Sequence, residues 1–194
     1  GREPMGSPAA LDAVTVLDFS TVGPAARCTR ILADYGATVI KVGAPARAGS
    51  VQIDAPFHAY GGGRGMKRVR IDLKAAAGRA ALLRLGAGAD VAIESFRPGV
   101  AARLGVGFED FRQVNERIVY CSTSGYGQAG DRARWAGHDL DYLAVGGFLH
   151  RSGRRADGGP ALPGATIADA AAGGMQAAIA ILAALLQRSA TGQG

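Results

Sequence analysis

The feature that most constrains the fold is the opening of the chain. Val14-Thr-Val-Leu-Asp-Phe19 is a short run of β-branched and apolar residues that ends at Ser20 and the turn Val22-Gly-Pro24. Ala25 to Tyr35 follows with helical spacing, and Gly36 stands where a helix C-cap needs a left-handed residue. Thr38-Val-Ile-Lys-Val42 is a second strand. A strand, helix and strand this close together leave a parallel pair with a right-handed crossover as the favoured arrangement.

The alternation continues. Val69 to Leu73 reads as a short strand, Ala75 to Leu85 as a helix and Ala89 to Glu94 as a strand. Phe108 to Asn115 reads as a helix, and Arg117 to Ser122 as a strand that enters the loop SGYGQAG. His138 to Phe148 has helical spacing. Ser152 to Gly164 reads as loop, and Asp169 to Arg188 as one long Ala-rich helix. Arg47 to Gly65, with GGGRG at its end, has little periodicity and reads as a flexible loop. The expected fold is a Rossmann-like, open, mostly parallel α/β sheet flanked by helices. It forms one domain over 11–194, preceded by a tail over 1–10. That tail lacks an apolar signal core, and the residues ahead of Met5 are compatible with a cloning remnant. In such sheets ligands bind beyond the C-terminal ends of the strands.

The motifs exclude the commonest ligands of such a sheet. DFSTVGPAARC after the first strand is not GxGxxG, and GGGRGMK is not a Walker loop. This disfavours nicotinamide, flavin and P-loop nucleotide sites. Cys28 and Cys121 match no zinc spacing, so no metal is expected, and both read as buried thiols in a reducing compartment. The apolar stretch from Ala170 to Leu186 carries Gly173, Gly174 and Gln176, and a membrane span is not expected. The expected location is cytoplasmic.

Net charge is +6, which favours anionic partners. There is no run of five basic residues, and one tryptophan, five tyrosines and six phenylalanines offer little base stacking, so nucleic acid is not the expected partner. The basic residues fall in small groups: Arg64, Lys67, Arg68, Arg70 and Lys74, then Arg97 and Arg103. Such groups suit a small polyanion; a solvated basic face is the alternative. His138-Asp139 is a plausible helix-start pair, Asp169 an ordinary first-turn acid, and His58 and His150 surface residues.

Several stretches together resemble the family III CoA-transferases (the CaiB/BaiF-like group), and most of all its α-methylacyl-CoA racemase branch. They are residues 14–42, KRVRIDLK (67–74), ADVAIESFRPGVAARLGVG (89–107), RIVYCSTSGYGQAG (117–130), AGHDLDYLAVGG and ATIADAAAGGMQAAIAILAAL. The resemblance implies that Asp169 is the carboxylate that transferases use as acyl-accepting nucleophile. It implies that His138, in GHD, is the added proton-transfer group of the racemase branch. Ile71, Asp72, Leu73, Lys74, Ser95, Phe96, Arg97, Arg103, Gly137, Asp139 and Tyr142 would contact coenzyme A, which enters as part of the substrate; no tightly bound cofactor is implied. Where the family often has an arginine or acidic pair after the second strand, this chain has Val42-Gly-Ala-Pro45, with Arg47 a substitute. Family members are about twice as long. They continue into a strand, a linker and a small domain that carries a third acid of the racemase site, and they form interlocked homodimers. The chain is therefore expected to need a homodimer partner or a complementary C-terminal segment. Three functions follow: 2-methylacyl-CoA racemisation by two-base proton transfer, CoA transfer through Asp169, or a non-catalytic CoA-binding fragment.

Overall fold

The computed structural model describes residues 8–20, 23–45 and 62–194. Five parallel strands form one sheet in the order β3-β2-β1-β4-β5. They are β1 (Thr15–Asp18), β2 (Thr38–Gly43), β3 (Lys67–Arg70), β4 (Val91–Glu94) and β5 (Val119–Ser122). The register sets Val16 opposite Val39 on one side and Val91 on the other, and Val91 opposite Val119. The order reverses between β1 and β4, and the crevice where open α/β sheets bind ligands opens there.

The strands alternate their faces. Val16, Val39, Val91, Ile93 and Val119 point to the layer of α1 (Pro24–Asp34) and the last helix. Leu17, Val42 and Ala92 point to the opposite layer, beside Leu82 of α2 (Ala76–Gly86) and Phe111 of α4 (Phe108–Val114). Phe19, just past β1, lies in that layer and stacks on Phe111 with ring centroids 5.7 Å apart. Both faces are covered, and this is why the strands read as near-continuous apolar runs.

The sequence reading needs four adjustments. β3 covers Lys67–Arg70 rather than reaching Leu73. Ile71 still donates to the Gly43 carbonyl, but the Asp72 carboxylate then accepts the Lys74 N–H and turns the chain. A short helix, α3 (Val100–Arg103), follows Gly99, whose φ of 82° supplies the turn. The helix expected over 138–148 is two, α5 (Asp139–Val145) and α6 (Phe148–Arg151), split at Gly147 with φ 82°. The long final helix opens as a π-helical segment, Ala168–Met175, before continuing as α7 (Gln176–Thr191).

The π-helical segment sits on the start of α1. A Cβ at Gly173 would come within 2.7 Å of Pro24, and one at Gly174 within 2.6 Å of Arg27, so only glycine allows this approach. The stretch Ala168–Thr191 is by length and composition apolar enough to cross a membrane. Here it packs Ala177, Ala178, Ile181 and Leu185 onto the sheet, and Arg188 pairs with Asp90 at 2.8 Å, as a core helix does.

Candidate active site

Two groups of side chains gather at the C-terminal edge of the sheet. The first is built by α5 and the π-helical segment. His138 is the N-cap of α5, with extended backbone and an exposed imidazole. Its N–H donates to the Asp141 carboxylate at 2.8 Å, and its carbonyl accepts the Asp141 N–H at 2.9 Å. The helix start is thus capped through the backbone of His138. The next residue, Asp139, is 7% exposed, and its Oδ1 accepts the Asp169 N–H at 2.8 Å. This bond ties the start of α5 to the start of the π-helical segment, so neighbouring residues in GHD bring His138 and Asp169 together.

Asp169 is half-buried. Burial pushes its carboxyl above the ordinary aspartate range, the neighbouring Asp139 carboxylate pushes it further, and His138 pulls it partly back. A carboxyl raised in this way holds its proton to higher pH and can serve as acid as well as base.

Tyr142 completes the group. Its hydroxyl donates to the Gly137 carbonyl at 2.5 Å, and its ring meets Tyr126 edge-on at 5.2 Å. Burial raises its phenol, with Asp169 the next cause. A Cβ at Gly137 would lie 2.7 Å from this ring, and one at Gly125 would collide with it. Gly137 therefore has a packing reason to be glycine. Tyr126 also meets Trp135 at 5.6 Å, and the Arg132 guanidinium lies 5.2 Å over the Trp135 ring.

The second group lies on the α2 and α4 side. Ile71 is buried, and Leu73 and Phe96 pack against the same apolar layer. Lys74, Ser95, Arg97 and Arg103 are exposed. Asp72 turns the chain as described. The Lys74 carbonyl accepts Arg79 Nη1 at 3.0 Å, and Arg79 also lines Gly105, just past α3. Arg79 of α2 therefore joins the segment that carries Lys74 to the one that follows Arg103. Arg47 and His58 fall outside the described residues.

Two buried carboxylates escaped sequence reasoning. Asp18 closes β1 and accepts Ser20 N–H at 2.7 Å, the Ser20 hydroxyl at 2.6 Å, the Thr29 hydroxyl at 2.6 Å and Lys41 Nζ at 2.8 Å. Glu94 closes β4. The one signal for either was an acid placed last in an apolar strand.

Fold and site together define an open parallel α/β protein with an imidazole and a half-buried carboxyl brought together by α5 and the π-helical segment, and with exposed basic residues on the segments after β3 and β4. Comparison with known proteins is specific: the chain belongs to CoA-transferase family III, whose family model matches residues 11–194. It is 38% identical over 185 residues to the alpha-methylacyl-CoA racemase of Homo sapiens, covering 95% of this chain and 46% of that protein. It is 35% identical over 191 residues to the succinyl-CoA:glutarate CoA-transferase of Mus musculus, covering 95% of this chain and 43% of that one. Among solved structures, Rv3272 from M. tuberculosis superposes with a TM-score of 0.85 at 35% identity, covering 95% of this chain and 52% of that one. The chain thus spans about half the length of these relatives, and both racemases and CoA-transferases are among them.

Proposed function

We propose that the protein acts on acyl-CoA thioesters, and that its reaction is the racemisation of a 2-methylacyl-CoA by two-base 1,1-proton transfer. The observation that carries this reading is His138 held beside an Asp169 whose carboxyl is raised. The α-proton of a thioester is weakly acidic, and its removal leaves charge on an enolate oxygen. One group must take the proton from one face, and a second must return a proton to the other. An imidazole titrates near neutral pH, and a carboxyl with a raised pKa meets the same need from the opposite side. The Asp169 N–H is already engaged by Asp139, so an enolate oxygen would need other donors.

In this reading CoA lies across the exits of β3 and β4. Lys74, Arg97 and Arg103 face its phosphates, and Phe96 packs on its adenine. Asp139 and Gly137 act by holding Asp169 and Tyr142 in place. The outer face of the final helix exposes Met175, Ile179, Leu182 and Leu186, spaced as one stripe, which supports a partner in the working protein: a second copy or a complementary chain segment.

The second reading, CoA transfer through a mixed anhydride on Asp169, is favoured by the transferases among the relatives. One experiment separates the two. The complete gene product is incubated with a 2-methylacyl-CoA in deuterated water, and in parallel with hydroxylamine. Racemisation predicts deuterium at the α-carbon and no trapped acyl group. A hydroxamate on Asp169 with no α-deuterium would establish the transferase reading instead.

A further inference from the structure

Glu94 is used by neither group as described so far. It is 3% exposed, and its side chain enters the α2 and α4 layer. Oε2 accepts the Phe96 N–H at 2.5 Å, and the nearby Ser122 side chain on β5 favours the charged form. Its backbone carbonyl accepts both the N–H and the hydroxyl of Thr123, at 2.9 and 3.1 Å. One residue therefore holds two loops, the one after β4 through its side chain and the one after β5 through its backbone carbonyl. The loop after β4 carries Ser95, Phe96 and Arg97. The loop after β5 runs to Tyr126, which packs on Tyr142 beside Asp169.

A carboxylate is an expensive way to fill this space. Burial pushes it above the ordinary glutamate range. Among the described residues no lysine or arginine pairs with it, and its titratable neighbours, Tyr120 and Cys121 on β5, are raised first by burial and then by its charge. An apolar side chain would pack here at lower cost. What an apolar residue cannot do is accept the Phe96 N–H.

We propose that Glu94 is a positioning residue: it fixes the turn bearing Phe96 and Arg97 relative to the loop bearing Tyr126, and so sets the CoA end of the site against its acid–base end. It touches no substrate. The inference rests on the CoA-binding reading and has its own test. CoA is titrated calorimetrically into the complete gene product as wild type, Glu94→Gln, Glu94→Leu, Arg97→Ala and the double variant Glu94→Leu with Arg97→Ala. Gln keeps an acceptor for the Phe96 N–H and should bind within about threefold of wild type. Leu fills the space without an acceptor for the Phe96 N–H and should bind about tenfold more weakly, the scale of one lost hydrogen bond. Arg97→Ala should then cost much less in the Leu background than alone, because the turn that presents Arg97 has already moved. Equal binding by the Leu variant and wild type, or two losses that simply add, would overturn the proposal.

If wild type binds no CoA, the functional reading falls, and amide hydrogen exchange decides the positioning claim. Faster exchange in Glu94→Leu at both Phe96 and Thr123–Tyr126 supports it. Faster exchange at Phe96 alone overturns it.

Discussion

β1 and β4 are neighbours at the centre of the sheet, and each ends in a buried carboxylate, but the two ends are held differently. Asp18 faces the α1 layer and gathers four donors, including the Lys41 ammonium. Glu94 faces the opposite layer, accepts the neutral Phe96 N–H and has no cation paired with it among the described residues. Asp18 binds mainly parts of the scaffold: the chain after β1, helix α1 and strand β2. Glu94 binds the starts of two loops that lead to candidate functional residues. The difference separates an anchor from a strut. An ion pair with a full set of hydrogen bonds keeps the strand exit in place, whereas a carboxyl bonded to a loop amide carries geometry into the site.

The sharpest way to break the comparison is Asp18→Ala. It strands Lys41 and three other donors, and breaking a buried pair costs about 3–5 kcal/mol when the remaining charge is fully enclosed. Lys41 is 19% exposed and can reach water, so a loss near 3 kcal/mol is expected in urea denaturation. Glu94→Ala should cost less, about 1–2 kcal/mol, the scale of unmet hydrogen bonds. If Glu94→Ala proved the more damaging, anchor and strut would be reversed.

A smaller effect distinguishes the two ends by pH. The Glu94 carboxyl is raised in the folded protein, so the native state binds a proton that the unfolded chain has already released. Stability from this group is therefore greatest below the ordinary glutamate range and falls as pH rises from there through the folded value. Glu94→Gln should flatten that fall in thermal unfolding followed across mildly acidic pH. A slope unchanged by the substitution would mean that the carboxyl is not raised.

The smallest effect concerns Asp169. Asp139→Asn keeps an oxygen for the Asp169 N–H but removes the like charge. The Asp169 carboxyl should drop toward its ordinary range, and the acid limb of the pH–rate profile should move to lower pH with it. A profile displaced upward would contradict the electrostatic account of the pair.

The fold was legible because both faces of the sheet are buried. Each strand is an apolar run, and each helix is bounded by a residue such as Gly36 or Pro24 that permits little else. The π-helical segment was not legible: its wide turn comes from Gly173 and Gly174 meeting Pro24 and Arg27, a contact some 150 residues away along the chain. The break at Gly147 was overlooked for a different reason, since a glycine pair inside an apolar periodic run can be tolerated in a helix or can end it. At the site, the GHD and IADAAAGG stretches pointed to His138 and Asp169, and the structure brings those residues together. The roles of Asp139 and Glu94 depend on which backbone N–H each carboxylate meets, and spacing along the chain carries no trace of that.

The central claim is that His138 and Asp169 serve opposite faces of one carbon. Its most direct test is α-proton exchange in deuterated water from the two enantiomers of a 2-methylacyl-CoA, measured separately for the complete gene product and its His138→Ala and Asp169→Ala variants. A single base cannot reach both faces without the substrate moving. The account predicts that each substitution suppresses exchange from one enantiomer far more than from the other, with opposite preferences. If one substitution silences both enantiomers and the other changes nothing, the two-base reading is contradicted, and His138 is no more than the cap of α5.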